Sequence, residues 1–169
     1  MLKRPNSDQF DPYFLNYINL GPDNILDGLE HQLDDTISFF KSVPVNKLNF
    51  AYDDGKWTIK ELFGHIIDTE RVFAYRALRF SRKDRTPLSG FEENDYIKNG
   101  IYNDRTIKSL LEEYEFQRKS TLHLFINFAE GFWETSGIAN GAELCTSAIP
   151  YIIYGHEEHH KKIIWDRYL

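Results

Sequence analysis

The sequence predicts an all-α protein, a four-helix bundle with long crossover connections, formed by residues 1–169 as one domain. Three observations predict it. Apolar residues recur at helical spacing in four long segments. No alternating strand pattern of useful length is found. Two long connections, 81–102 and 129–145, separate the last three segments, so the bundle need not be simple up-down-up-down. A chain of 169 residues can bury a real core, and its 15% aromatic content predicts packing on Phe, Tyr and Trp.

Taken in order, the first twenty residues read as irregular but aromatic, with Phe10, Tyr13, Phe14 and Tyr17 expected to lie against the bundle. Gly21-Pro22 then opens a helix carrying Ile25, Leu29, Leu33, Ile37 and Phe40, which Pro44 ends. A polar stretch, 46–56, leads to the second helix. There Thr58 and Glu61 have capping-box spacing and Trp57 can staple onto the first turn. Its apolar stripe is Ile59, Leu62, Phe63, Ile66, Phe73, Ala77 and Phe80.

The connection 81–102 holds Pro87, Gly90 and Gly100, and its length predicts a crossover or a functional loop. Asn103 or Asp104 is expected to cap the third helix, which carries Ile107, Leu110, Leu111, Tyr114, Thr121, Leu122, Phe125 and Phe128. The glycine-rich 129–145 reads as a loop. The fourth helix, 146–168, takes Pro150 in its first turn, where the missing N–H costs little. There is no internal repeat.

The net charge of -6 argues against nucleic acid as a partner. The short basic cluster Arg79, Arg82, Lys83 and Arg85 is interrupted by Asp84 and reads as a solvated helix end. Cys145 is the single cysteine, which rules out an intrachain disulfide, and no flanking residue marks it as a nucleophile. No apolar run approaches the ~18 residues of a membrane span, and the N-terminal residues lack a signal-peptide core. The expectation is a cytoplasmic protein that acts on a small molecule, with no membrane partner.

Some polar residues fall where a core residue is expected. At about 100° per residue, His156 and His160 share the face of Ile149, Ile152, Ile153 and Ile163. His65 flanks the second helix's apolar stripe and can complete a trio. Imidazole suits zinc, nickel, copper or iron, and three protein ligands leave a position open, as in catalytic sites. The bland alternative is a set of hydrogen-bonded core histidines.

His156-Glu157-Glu158-His159-His160 also spells H-E-x-x-H. A protease reading fails because only nine residues follow His160, and Asp166, the sole carboxylate among them, is turned away on the same helix. Glu157 survives as a weak candidate general base. Glu70 and Arg118 lie on apolar stripes, and as charges there they need partners, each other or Asp68. Asp68 is alternatively an acceptor that orients His65, and His159 is a neighbour or rim residue of the ligand face.

These residues carry a resemblance. Lys56-Trp57-Thr58-Ile59-Lys60-Glu61-Leu62, Gly64-His65-Ile66-Ile67-Asp68-Thr69-Glu70-Arg71 and the run from Ile149-Pro150 to His159-His160 resemble the DinB/YfiT-like superfamily of metal-binding four-helix bundles. Pro87-Leu88-Ser89-Gly90-Phe91 and Asp95-Tyr96 look like that family too. The resemblance implies His65, His156 and His160 as the ligand trio, with His159 not a ligand. The chain departs at Ser147, where relatives often carry arginine, so a substrate cannot be transferred.

The family implies a metalloenzyme without naming its reaction. Its members include S-transferases that use low-molecular-weight thiols, a thiol-dependent isomerase and proteins called metal-dependent hydrolases. The readings carried forward are thiol S-transfer to a small electrophile, hydrolysis of a small ester or amide, and a non-catalytic metal- or ligand-binding bundle. The cofactor expected is one divalent transition metal, zinc or nickel foremost, with a low-molecular-weight thiol as cosubstrate. Tyr96, Tyr102 and Trp133 are candidates for the site entrance. A homodimer through an aromatic helix face is plausible.

Overall fold

A computed structural model describes residues 2–169. Among the described residues six α-helices are formed: α1 (Leu15–Leu20), α2 (Ile25–Ser42), α3 (Ile59–Ser81), α4 (Glu93–Asn99), α5 (Ile107–Ile126) and α6 (Ile149–Tyr168). The four long ones, α2, α3, α5 and α6, make a four-helix bundle. Their closest packing runs in a ring, α3 to α5 to α2 to α6 and back to α3. Chain order and ring order therefore differ. The links 43–58 and 127–148 join helices across the bundle. The connection 82–106, whose length predicts a crossover or a functional loop, joins neighbouring helices, and it spends its residues on α4 and a turn at Tyr102–Asp104.

Local chemistry sets the helix ends. Thr58 Oγ1 accepts from the Glu61 backbone N–H (3.2 Å) while Glu61 accepts from the Thr58 N–H (2.7 Å), so the capping box is formed. The cap of α5 is Thr106, not Asn103 or Asp104, which sit in the preceding 3-10 turn. The aromatic N-terminal stretch is partly regular, because Asp11 caps a 3-10 turn that runs into α1. That short helix packs on α6. The approach is close because Gly155 has no side chain: a Cβ there would lie 2.0 Å from the Tyr17 carbonyl oxygen.

The connection 129–145 is more than a loop. Ser136–Ala139 (β1) pairs antiparallel with Ala142–Cys145 (β2). The turn between them is Asn140-Gly141, both at positive φ (53° and 78°), the backbone that a two-residue hairpin turn demands. Leu88 adds a parallel bridge beside Ala139 and ties the two long connections together.

The core has a polar waist. One hydrophobic cluster holds Leu29, Phe73, Phe80, Phe125, Ile149 and Ile152; a second holds Leu33, Phe40, Phe63, Leu110, Tyr114 and Ile164. Along each long helix some of the buried polar residues fall near the boundary of the two sets: Gln32 on α2, His65, Thr69 and Glu70 on α3, Arg118 on α5, His156 and Glu157 on α6. The candidate site lies at this level.

Candidate metal centre

His65 comes from α3, and His156 and His160 from successive turns of α6. The Nε2 atoms of His65 and His156 are 2.9 Å apart, and those of His160 and His156 are 3.1 Å apart. One candidate ligand atom from each ring lies within 4.8 Å of the others. The neutral Nε2 of His156 has one in-plane lone pair and accepts at most one hydrogen bond. It is nevertheless approached by two ring nitrogens. A shared cation resolves that crowding, since tetrahedral zinc at ordinary Zn–N lengths sets its nitrogens about 3.3 Å apart. The Nδ1 of His160 is buried with no protein partner among the described residues.

The surroundings keep these rings neutral. His65 is 3% exposed and His156 7%. Burial lowers the His65 pKa to about 4 and that of His160 to about 3, and holds His156 well below the ordinary value. Neutral imidazole is the form that binds metal. Trp57 packs its ring 4.9 Å from His65, and Tyr17 meets His156 edge-on at 5.6 Å. Gly64 and Gly155 immediately precede two of the three histidines. A Cβ on Gly64 would collide with the Tyr102 ring at 2.2 Å, so the missing side chains let neighbours close over the trio.

A cavity of about 260 Å³ reaches His156 from one side. Its walls come from the N-terminal segment (Phe14, Tyr17), from α3 (Thr69, Phe73, Arg76) and from both long connections. Tyr96, Tyr102 and Trp133, expected at the entrance, do not line it. Tyr96 is exposed and leans on Phe91, Tyr102 lies over Gly64, and Trp133 is buried beside Phe125. Tyr17 and Arg76 were missed in the sequence. Arg76 had a signal: eleven residues after His65 it returns to within about 20° of the same helix face.

Two expected roles are corrected. Asp68 does not orient His65. Its carboxylate accepts from the Tyr102 hydroxyl and from Arg71 at 3.0 Å, while the polar atom near His65 Nδ1 is Thr69 Oγ1 at 3.5 Å. Glu157 does not face the trio. It is fully buried and accepts from Arg118 (2.7 Å), the Tyr114 hydroxyl (3.0 Å) and Thr36. One residue is about 100° of helix, enough to send His156 and Glu157 to different clusters. Burial raises the Glu157 pKa despite Arg118.

Arg118 is 0% exposed and bonds Glu70 at 3.1 Å, Glu157, Gln32 and the Leu29 carbonyl. His159 is exposed on the rim, edge-on to Tyr17 and His160. Ser147 is buried, 3.2 Å from the Cys145 sulfur, and burial raises that thiol's pKa.

Comparison with known proteins adds two findings. The model of the DinB superfamily matches residues 29–164. Among solved structures, YfiT from Bacillus subtilis superposes with a TM-score of 0.72 over 97% of this chain and 91% of that one, at 12% identity. YfiT is described as a probable metal-dependent hydrolase with an unusual four-helix bundle topology. No curated protein sequence matches the chain.

Proposed function

We infer that this chain, which belongs to the DinB superfamily, is a metal-dependent enzyme that transfers a small thiol to a small electrophile. The observation that carries the reading is the convergence of three neutral ring nitrogens beside a cavity. His65, His156 and His160 would hold one divalent ion, zinc or nickel by the chemistry of an all-imidazole set. A divalent ion in such a site supplies a Lewis acid that lowers the pKa of whatever thiol or water it carries. The chain's own residues bind and orient. Tyr17 and Thr69 wall the cavity next to the trio, and the apolar side chains of Phe14, Phe73 and Ile152 keep bulk water from the reacting end.

Thiol transfer is preferred because the two carboxylates nearest the histidines in sequence are already engaged, and a metal-bound thiol needs no base beyond the ion itself. Glu157 is held by Arg118 and Asp68 by Tyr102 and Arg71. A thiol near pKa 8.5 needs less help to ionise than water does. Hydrolysis is the second reading, and the description of YfiT favours it.

The test is elemental analysis of the purified protein beside His156→Ala, followed by incubation of the loaded protein with an epoxide or chlorinated electrophile. One metal per wild-type chain, its loss in the variant and thiol-dependent consumption are expected. Stoichiometric metal retained in His156→Ala would overturn the ligand set. Turnover in water alone would select the hydrolase.

A further inference from the structure

The cavity beside the trio is lined by one permanent cation, Arg76, which has no hydrogen-bonding or ionic partner among the described residues. Arg76 is 5% exposed, yet among the described residues it donates no hydrogen bond and enters no ion pair. Every other deeply buried charge in the bundle is satisfied, Arg118 by four acceptor groups and Lys60 by two backbone carbonyls. Its guanidinium nitrogens are not sealed from solvent space, so an anion can reach them, and a guanidinium held this far from bulk water gains from a counter-ion. Burial indeed lowers its pKa, with no neighbouring charge to offset that. The side chain lines the cavity that reaches His156, and its guanidinium carbon sits 4.8 Å from the centre of the Phe73 ring. Phe73 is N-terminal to Arg76 on α3, so the guanidinium folds back along the helix, toward the His65 end.

We propose that Arg76 is the anion-binding end of the substrate site and receives a carboxylate from a small molecule whose apolar body lies against Phe14, Phe73 and Ile152. A carboxylate fits better than a phosphate. A single planar guanidinium matches one carboxylate with two parallel hydrogen bonds. A dianion would need a second cation, and the other charged residues of the lining are Asp11, Glu93 and Glu143. Eleven helical steps from His65 to Arg76 separate their Cα atoms by about 16 Å along α3, of which the folded-back arginine side chain spans only a part. The ligand is therefore an acid with a chain or ring between its charge and its reacting end, not acetate. This deepens the metal-dependent reading of the same site and rests on it for the reacting end alone.

Calorimetric titration of the metal-free protein with 4-phenylbutyrate and with its neutral amide tests the charge recognition apart from any metal. The wild type is expected to favour the acid by about ten- to a hundredfold. Arg76→Met, close in volume, should abolish the preference with its melting temperature nearly kept, and Arg76→Lys should retain part of it. Equal binding of acid and amide by the wild type, or an undiminished preference in Arg76→Met, would overturn the proposal. Tighter binding of the matching phosphonate would overturn the choice of carboxylate. Repeating the titration on metal-loaded protein, with metal content measured alongside, separates the two readings: a chain that binds no metal but prefers the acid keeps the Arg76 site and loses the metalloenzyme.

Discussion

Two polar clusters share the waist of this bundle, and they are built in opposite ways. In the first, Arg118 donates to Glu70, Glu157, Gln32 and the Leu29 carbonyl, while Thr36 and Tyr114 fill the remaining acceptor positions of Glu157. Its polar groups are spent on one another. In the second, three imidazoles point their Nε2 atoms at a common place with too few protons and lone pairs to satisfy each pair. Adjacent residues of α6, His156 and Glu157, serve one cluster each. The difference teaches how to tell a structural polar core from a binding site: the structural one closes on itself, and the binding one is complete only with something added.

The largest effect should come from breaking the closed cluster. Arg118→Met leaves Glu70 and Glu157 buried without a counter-ion, which costs about 3–5 kcal/mol. Urea unfolding of metal-free protein should show that loss, and His156→Ala in the same conditions should cost less. A smaller loss for Arg118→Met than for His156→Ala would end the contrast.

A smaller effect is expected from acid. Unfolded histidines take up protons near pH 6.5, whereas His65 in the fold resists until about 4. The unfolded state therefore binds more protons between those values, and stability falls as pH falls through that window. From pH 6.5 to 5, His65 alone should account for about 1.5 kcal/mol in metal-free protein. Urea midpoints for wild type and His65→Ala across that range give the difference directly. Parallel curves would mean that the imidazole is not held neutral by burial.

The long helices were legible in the sequence because periodicity, Pro44, Pro150 and the Thr58–Glu61 box are local signals. The trio was legible for the same reason, since His156 and His160 share a helix face whatever packs against it. What depends on packing direction was not legible. The wheel could mark Glu157 and Asp68 as near the three histidines but not show that Arg118 and Tyr102 had claimed them. The hairpin escaped because four-residue strands alternate too briefly, although Asn140-Gly141 was a usable turn signal. Arg76 escaped because a charge next to an apolar stripe reads as surface until the cavity is seen.

The smallest effect sharpens the comparison from its edge. Asp68 is only three residues from His65, yet it belongs to neither cluster: it joins the partly exposed group of Tyr102, Arg71 and Glu113. Exposed ion pairs of this kind contribute little, about 0–1 kcal/mol. Asp68→Asn keeps an acceptor for the Tyr102 hydroxyl and removes the charge facing Arg71. It should cost under about 1 kcal/mol and leave metal content and metal affinity unchanged. A Thr69→Val variant, by contrast, removes the one side-chain oxygen near His65 Nδ1 and should weaken metal affinity. If Asp68→Asn proved the more damaging of the two to metal affinity, the carboxylate would be acting on the trio after all, and the boundary between the self-satisfied and the open cluster would have to be redrawn around it.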